Sequence, residues 1–209
     1  MHKLFVSLLM MASITVLGQQ DDKVFVFLNS KLDKAKISED SAARLQNMHM
    51  SNIERMVEEK QLVVAGPFEG GGGIFIFNTA DVVQAKKWLQ SDPAVRANRW
   101  NIEYFRIDFI KGGACLAQPP YEMVIYNFDR INYINDIANY KMNSSDAAAW
   151  QEVSRVDSVL MVGRFPLNDG GIIIYSSEIE PEMQKFFSTD QVAFDKKKIW
   201  VAQGSFCEN

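Results

Sequence analysis

The chain has 209 residues, carries 22 basic against 26 acidic side chains, and is 47% apolar and 11% aromatic. The acidic balance argues against a nucleic-acid partner, which needs basic surface to neutralise phosphates. The apolar share is large enough for a sizeable core, which argues against disorder.

In chain order, Met1-His2-Lys3 is a short basic start and Leu4 to Leu17 is apolar apart from small Ser and Thr. This pattern predicts a secretory signal peptide over residues 1–18, with cleavage after Gly18. The apolar run falls short of the roughly 20 residues that a membrane span needs, and no later run reaches it. No Cys follows it to suggest a lipid anchor, so an exported protein, periplasmic or secreted, is expected. Removing the leader takes Lys3 away and makes the chain slightly more acidic.

Periodicity then predicts a strand from Val24 to Asn29 and a helix over Glu39–Glu59 with Ser38 as N-cap. Strands at Leu62–Ala65 and Gly73–Asn78 flank a glycine-rich connection, a helix covers Ala80–Gln90, and a last strand covers Ile102–Ile110. Residues 112–120, running into Pro119-Pro120, read as a linker. Four further strands are expected at Glu122–Asn127, Val159–Val162, Gly171–Ser176 and Ile199–Gln203.

The second set echoes the first. Val26-Phe27-Leu28-Asn29 matches Val124-Ile125-Tyr126-Asn127, and Gly72-Gly73-Ile74-Phe75-Ile76-Phe77 matches Gly170-Gly171-Ile172-Ile173-Ile174-Tyr175, both at a spacing of 98. The chain therefore reads as an α+β protein of two ferredoxin-like βαββαβ modules, residues 23–111 and 121–209. Strands such as Val24 to Phe27 are apolar at both parities, so both faces of each sheet must be covered. Helices cover one face; the other module's sheet covers the second, giving an intrachain pseudo-dimer. Cys115 and Cys207 either pair in an oxidising compartment or stay as inert thiols, since the sequence does not say whether their Cα atoms come within about 7 Å.

Residues 23 to 111 resemble the YCII-related family of the dimeric α+β barrel group. The resemblance rests on His49 in the first helix, Val64-Ala65-Gly66-Pro67, the strand opened by Gly73, and Ser91-Asp92-Pro93. It implies an active-site pair that falls here on His49 and Asp92. Members are usually single modules that form homodimers, so this chain looks like such a dimer fused into one polypeptide. The second copy departs from the pattern: Asp146 or Ala147 stands where His49 would be, Asp190 persists, Gln191 replaces the proline after it, and Arg164 replaces the proline of the turn. One active pocket per chain is expected.

His49 shares a helical face with Leu45, Ile53 and Met56. An imidazole against an apolar wall can exchange a proton near neutrality, and a carboxylate such as Asp92 would set its tautomer. The plainer readings are a core histidine satisfied by a carbonyl, and an aspartate that caps the short helix begun by Pro93. Gly70 to Gly73 lacks the Lys-Ser/Thr and the helix of a phosphate loop, no metal ligand set is recognisable, and no Gly-x-Ser-x-Gly is present. Trp88, Trp100, Tyr104 and Phe105 read as core more readily than as pocket. Two functions compete: a cofactor-free acid/base enzyme of isomerase or lyase type acting on a small organic molecule, and a non-catalytic module that binds a small ligand. A partner-binding scaffold and a haem-linked role, known elsewhere in the barrel group, are further alternatives. Neither cofactor nor metal is expected, and the fused pseudo-dimer is expected to be monomeric, with further self-association left open.

Overall fold

The computed structural model describes residues 23–134, 144–166, 170–176, 185–187 and 192–208; the expected signal peptide lies outside them. The element order is β1 (Lys23–Ser30), α1 (Glu39–Glu58), β2 (Leu62–Pro67), β3 (Gly73–Phe77), α2 (Val82–Leu89), α3 (Pro93–Arg96) and β4 (Trp100–Lys111). There follow β5 (Gly113–Ala114), β6 (Met123–Tyr133), α4 (Ser144–Ser154), β7 (Val159–Arg164), β8 (Gly171–Ser176), β9 (Val192–Ala202) and β10 (Phe206–Cys207). The protein is α+β, and an eight-stranded sheet in the order β2-β3-β1-β4-β7-β8-β6-β9, antiparallel at every pairing, dominates it. Each half of the chain contributes four strands in the same relative order. The ends of the sheet also meet, through a bridge between Phe68 and Ile199 and the bond from Glu69 N to Lys198 O.

Parity explains the layering. Along β1, Phe25 and Phe27 point to a central core shared by both halves, which includes Ile74, Ile107, Phe128, Phe165, Ile172 and Ile199. Val24, Val26 and Leu28 point the other way, to a core capped by Met56 of α1 and by Ala85 and Leu89 of α2. On β8, Ile172 and Ile174 face the centre while Ile173 and Tyr175 join Trp150 and Val153 of α4. Close approach of the two halves needs small residues at the seam: a Cβ on Gly163 would come within 2.3 Å of Ile107, and one on Gly66 within 2.7 Å of Val201.

The second half corrects the sequence-based bounds. Its first strand does not stop at Asn127 but runs to Tyr133, and its last does not begin at Ile199 but at Val192, pairing in register from Met123↔Ala202 to Tyr133↔Val192. Both extensions carry charged residues within the sheet. They are accommodated: Asp129 is buried and accepts from the Tyr175 hydroxyl at 3.3 Å. Arg130 lies 4.2 Å over the Phe27 ring and makes bonds of 2.9 and 2.8 Å to Glu103. The repeat spacing shifts accordingly. Leu28 pairs with Gly73 but Ile131, not Tyr126, pairs with Gly171, so the first strands correspond at 103 residues while the third strands keep 98.

Glu103 and Arg130 join the two halves, and Asn29 adds a 2.7 Å bond to the same carboxylate. The hydrogen bond from Arg130 lowers the Glu103 pKa below its ordinary 4.5, against the opposing effect of burial. A depressed carboxylate pKa stabilises the fold above the unfolded value and loses that contribution as pH falls through the folded one. In urea unfolding, the stability advantage of the wild type over Glu103→Gln is therefore expected to be constant above about pH 5.5 and to shrink progressively below about pH 4.5. A gap independent of pH would contradict this.

The expected linker is built into the fold. β5 pairs with β10, and Cys115 is bonded to Cys207 with a Cα separation of 5.9 Å, which answers the question the two cysteines posed.

Candidate functional site

α1 starts where Ser38 accepts from Ser41 N, and its inward face places His49 over the sheet. The imidazole stacks on Phe75 of β3, with ring centroids 6.0 Å apart and planes 13° from parallel. Leu45, expected on the same face, opens instead onto a separate shallow groove beside Arg44 and Arg99.

Asp92 sits in the turn between α2 and α3, completely buried. Its Oδ1 accepts from Ala94 N and Val95 N at 2.8 and 3.2 Å, capping α3, with Pro93 in the first turn. Its Oδ2 lies 2.6 Å from Nδ1 of His49. Capping and pairing thus coexist, one on each oxygen. A carboxylate only accepts, so Nδ1 carries a proton and donates it, and in the neutral imidazole Nε2 is then the acceptor. No protein group among the described residues bonds Nε2.

Asn52 and Arg55, which the sequence did not single out, and Ser91, named above only as part of the Ser91-Asp92-Pro93 motif, hold this pair in place. Asn52, one turn beyond His49, donates from Nδ2 to Asp92 Oδ2 at 3.2 Å. Its Oδ1 accepts from Arg55 Nη2 at 2.9 Å and from the Ser91 hydroxyl at 3.0 Å. Asn52 is itself buried. Polar residues at 49, 52 and 55 form one helical row, a signal visible in the sequence. Nothing there shows that the row meets Ser91 and Asp92.

His49 is 11% exposed, and its exposure is to a cavity of about 570 Å³, within the range of small-molecule sites. Ile53 and Val57 of α1, Val63 and Ala65 of β2, and Ile74 and Phe75 of β3 form its apolar walls. Leu116 and Ala117 of the segment read as a linker, and Tyr121 just after it, also line the cavity. Trp100 packs with the helix-side core and also lines the cavity, whereas Trp88 and Tyr104 are core and Phe105 packs on the central core. Asp190 lies outside the described residues.

Among the described residues no cluster of three or more His, Cys, Asp or Glu could hold a metal ion, and no helix is long and apolar enough to cross a membrane. A haem brings two carboxylates that need cationic or donor partners. The described cavity lining contains no Lys or Arg but does contain Glu54 and Glu58, so these residues do not fit that group.

No family model matches the chain, and no curated protein matches it. Solved structures do. A proposed monooxygenase from Lactobacillus acidophilus NCFM aligns with a TM-score of 0.49 at 10% identity, over 90% of this chain and 99% of its own. A proposed monooxygenase from Fusobacterium nucleatum aligns at 0.46 and 12%, over 91% and 96%. A proposed chlorite dismutase aligns at 0.49 and 9%, over 90% and 95%. These likenesses are too distant to inform the chemistry of the site.

Proposed function

We propose that the chain is an exported, duplicated protein of the YCII-related kind, whose two ferredoxin-like modules form a dimeric α+β barrel within one polypeptide. In this reading His49 and Asp92 carry out cofactor-free proton transfer on a small organic molecule. The observation that carries it is the 2.6 Å contact between His49 Nδ1 and a fully buried Asp92, in an imidazole that itself lines a largely apolar cavity. Such a dyad takes a proton at Nε2, stabilises the imidazolium against the carboxylate, and returns the proton to another atom of the substrate. That suits isomerisation or elimination next to a carbonyl. The equal strand order of the halves supports the duplication, and the disulfide supports export. The second module has Asp146 or Ala147 in place of His49, so one active pocket per chain is proposed.

Proton abstraction is measurable before the natural substrate is known. The protein is incubated in D₂O with a panel of small lactones and cyclic ketones, and deuterium uptake at the carbon beside the carbonyl is followed by proton NMR. Wild type is expected to speed uptake for at least one compound by roughly a hundredfold or more, and His49→Gln to abolish the acceleration while folding normally. Uptake unaffected by His49→Gln would sink the acid/base reading. Compounds that raise the melting temperature without exchanging would favour the alternative, a non-catalytic ligand-binding module, which the predominantly apolar walls also suit.

A further inference from the structure

The charge pattern of the cavity points to its ligand class. Resting on the reading of the His49 cavity as a ligand site, we infer that it takes uncharged or cationic apolar molecules and discriminates against anions. α1 presents His49, Ile53 and Val57 to the cavity at helical spacing, and the same face brings Glu54 and Glu58 to its lining. Both glutamates are exposed and face the cavity from the solvent side. No Lys or Arg lines it among the described residues. Arg55, which lies between the two glutamates in sequence, is turned to the other side, where it is bound to Asn52, Ser91 and Glu59.

An anion entering here meets two carboxylates and no fixed positive charge. An uncharged carbonyl compound leaves the imidazole free, and a cationic group placed at the mouth is attracted by Glu54 and Glu58. Because both glutamates are solvated, the discrimination is modest and salt-sensitive, about fivefold in low salt and weaker at about 1 M salt.

The test uses three compounds of one shape, 2-naphthalenemethanol, 2-naphthylmethylamine and 2-naphthoate, each displacing the uncharged fluorophore N-phenyl-1-naphthylamine from the whole protein. In wild type the alcohol and amine are expected to displace it at about fivefold lower concentration than the naphthoate. In the double variant Glu54→Gln/Glu58→Gln that gap is expected to close, with the circular dichroism spectrum unchanged. Naphthoate binding as tightly as the alcohol in wild type, or a gap that survives in the double variant, overturns the inference while leaving the cavity as the site. Ile53→Trp, which fills the cavity, is expected to abolish fluorophore binding; binding that persists there removes the cavity reading and this inference with it.

Discussion

Asp92→Ala is expected to lower the stability of the protein by about 3 kcal/mol, far more than a typical surface substitution. The side chain is completely buried and all its polar contacts are internal. Removing it leaves Ala94 N and Val95 N at the start of α3 without their acceptor, a loss of about 1 kcal/mol for a cap. It also leaves Asn52 Nδ2 and His49 Nδ1 without theirs, each a desolvated donor costing on the order of 1 to 3 kcal/mol, partly relieved for His49 by the cavity. Asp92→Asn separates the roles. The amide oxygen can still cap α3, so the stability loss is expected to be nearer 1 kcal/mol. Its amide nitrogen, however, faces the Asn52 amide and His49 Nδ1. A donor there forces the imidazole proton onto Nε2, turning that nitrogen from acceptor to donor. Asp92→Asn is thus expected to be nearly as inactive in deuterium exchange as His49→Gln while remaining folded. Urea unfolding and exchange measured on the same samples check both parts; a loss below 1 kcal/mol for Asp92→Ala would show that the buried network contributes little.

How much of this was legible follows from where each signal resides. Val24 to Phe27 and Ile172 to Tyr175 are apolar at both parities, and a strand with that pattern has to be covered on both faces, so the layering could be read from the residues. The long strands β6 and β9 could not be. Asp129 and Arg130 look like a strand end until Tyr175, Glu103 and Phe27 are known to surround them, and those partners lie at least 25 residues away in the chain. His49 and Asp92 came from resemblance, and their contact rests on α1 packing beside the turn before α3. Asn52 belonged to the polar row at 49, 52 and 55, but an Asn inside a helix reads as a surface residue until a buried carboxylate is found opposite it. Leu116, Ala117 and Tyr121 were invisible as a cavity wall for a related reason. A stretch rich in Gly and Pro says that the chain turns, and not what it turns against.

That wall depends on the disulfide, which makes the bond the second point at which a small change should have a large effect. Cys115 immediately precedes Leu116 and Ala117, while Cys207 follows Ser205, whose carbonyl accepts from Cys115 N at 2.9 Å. The bond closes a loop between residues 92 apart in sequence. By the chain-entropy argument, a loop of that length is worth on the order of 4 kcal/mol, with measured losses of about 2 to 5 kcal/mol. The double variant Cys115→Ser/Cys207→Ser, which leaves no odd thiol, is therefore expected to unfold at clearly lower denaturant. β5 and β10 are two-residue strands, too short to hold their pairing without the covalent tie. With the tie gone the segment carrying Leu116 and Ala117 should move away from α1 before the central core opens, because that core takes buried residues from all eight strands of the large sheet and includes neither cysteine, with only Ala114 and Phe206 of the short strands packed against its edge. The fluorophore affinity of the double variant is accordingly expected to fall at concentrations of denaturant where the far-ultraviolet dichroism is still native. Equal stability and equal affinity in the two proteins would mean that β5, β10 and Phe206 hold the wall by packing alone.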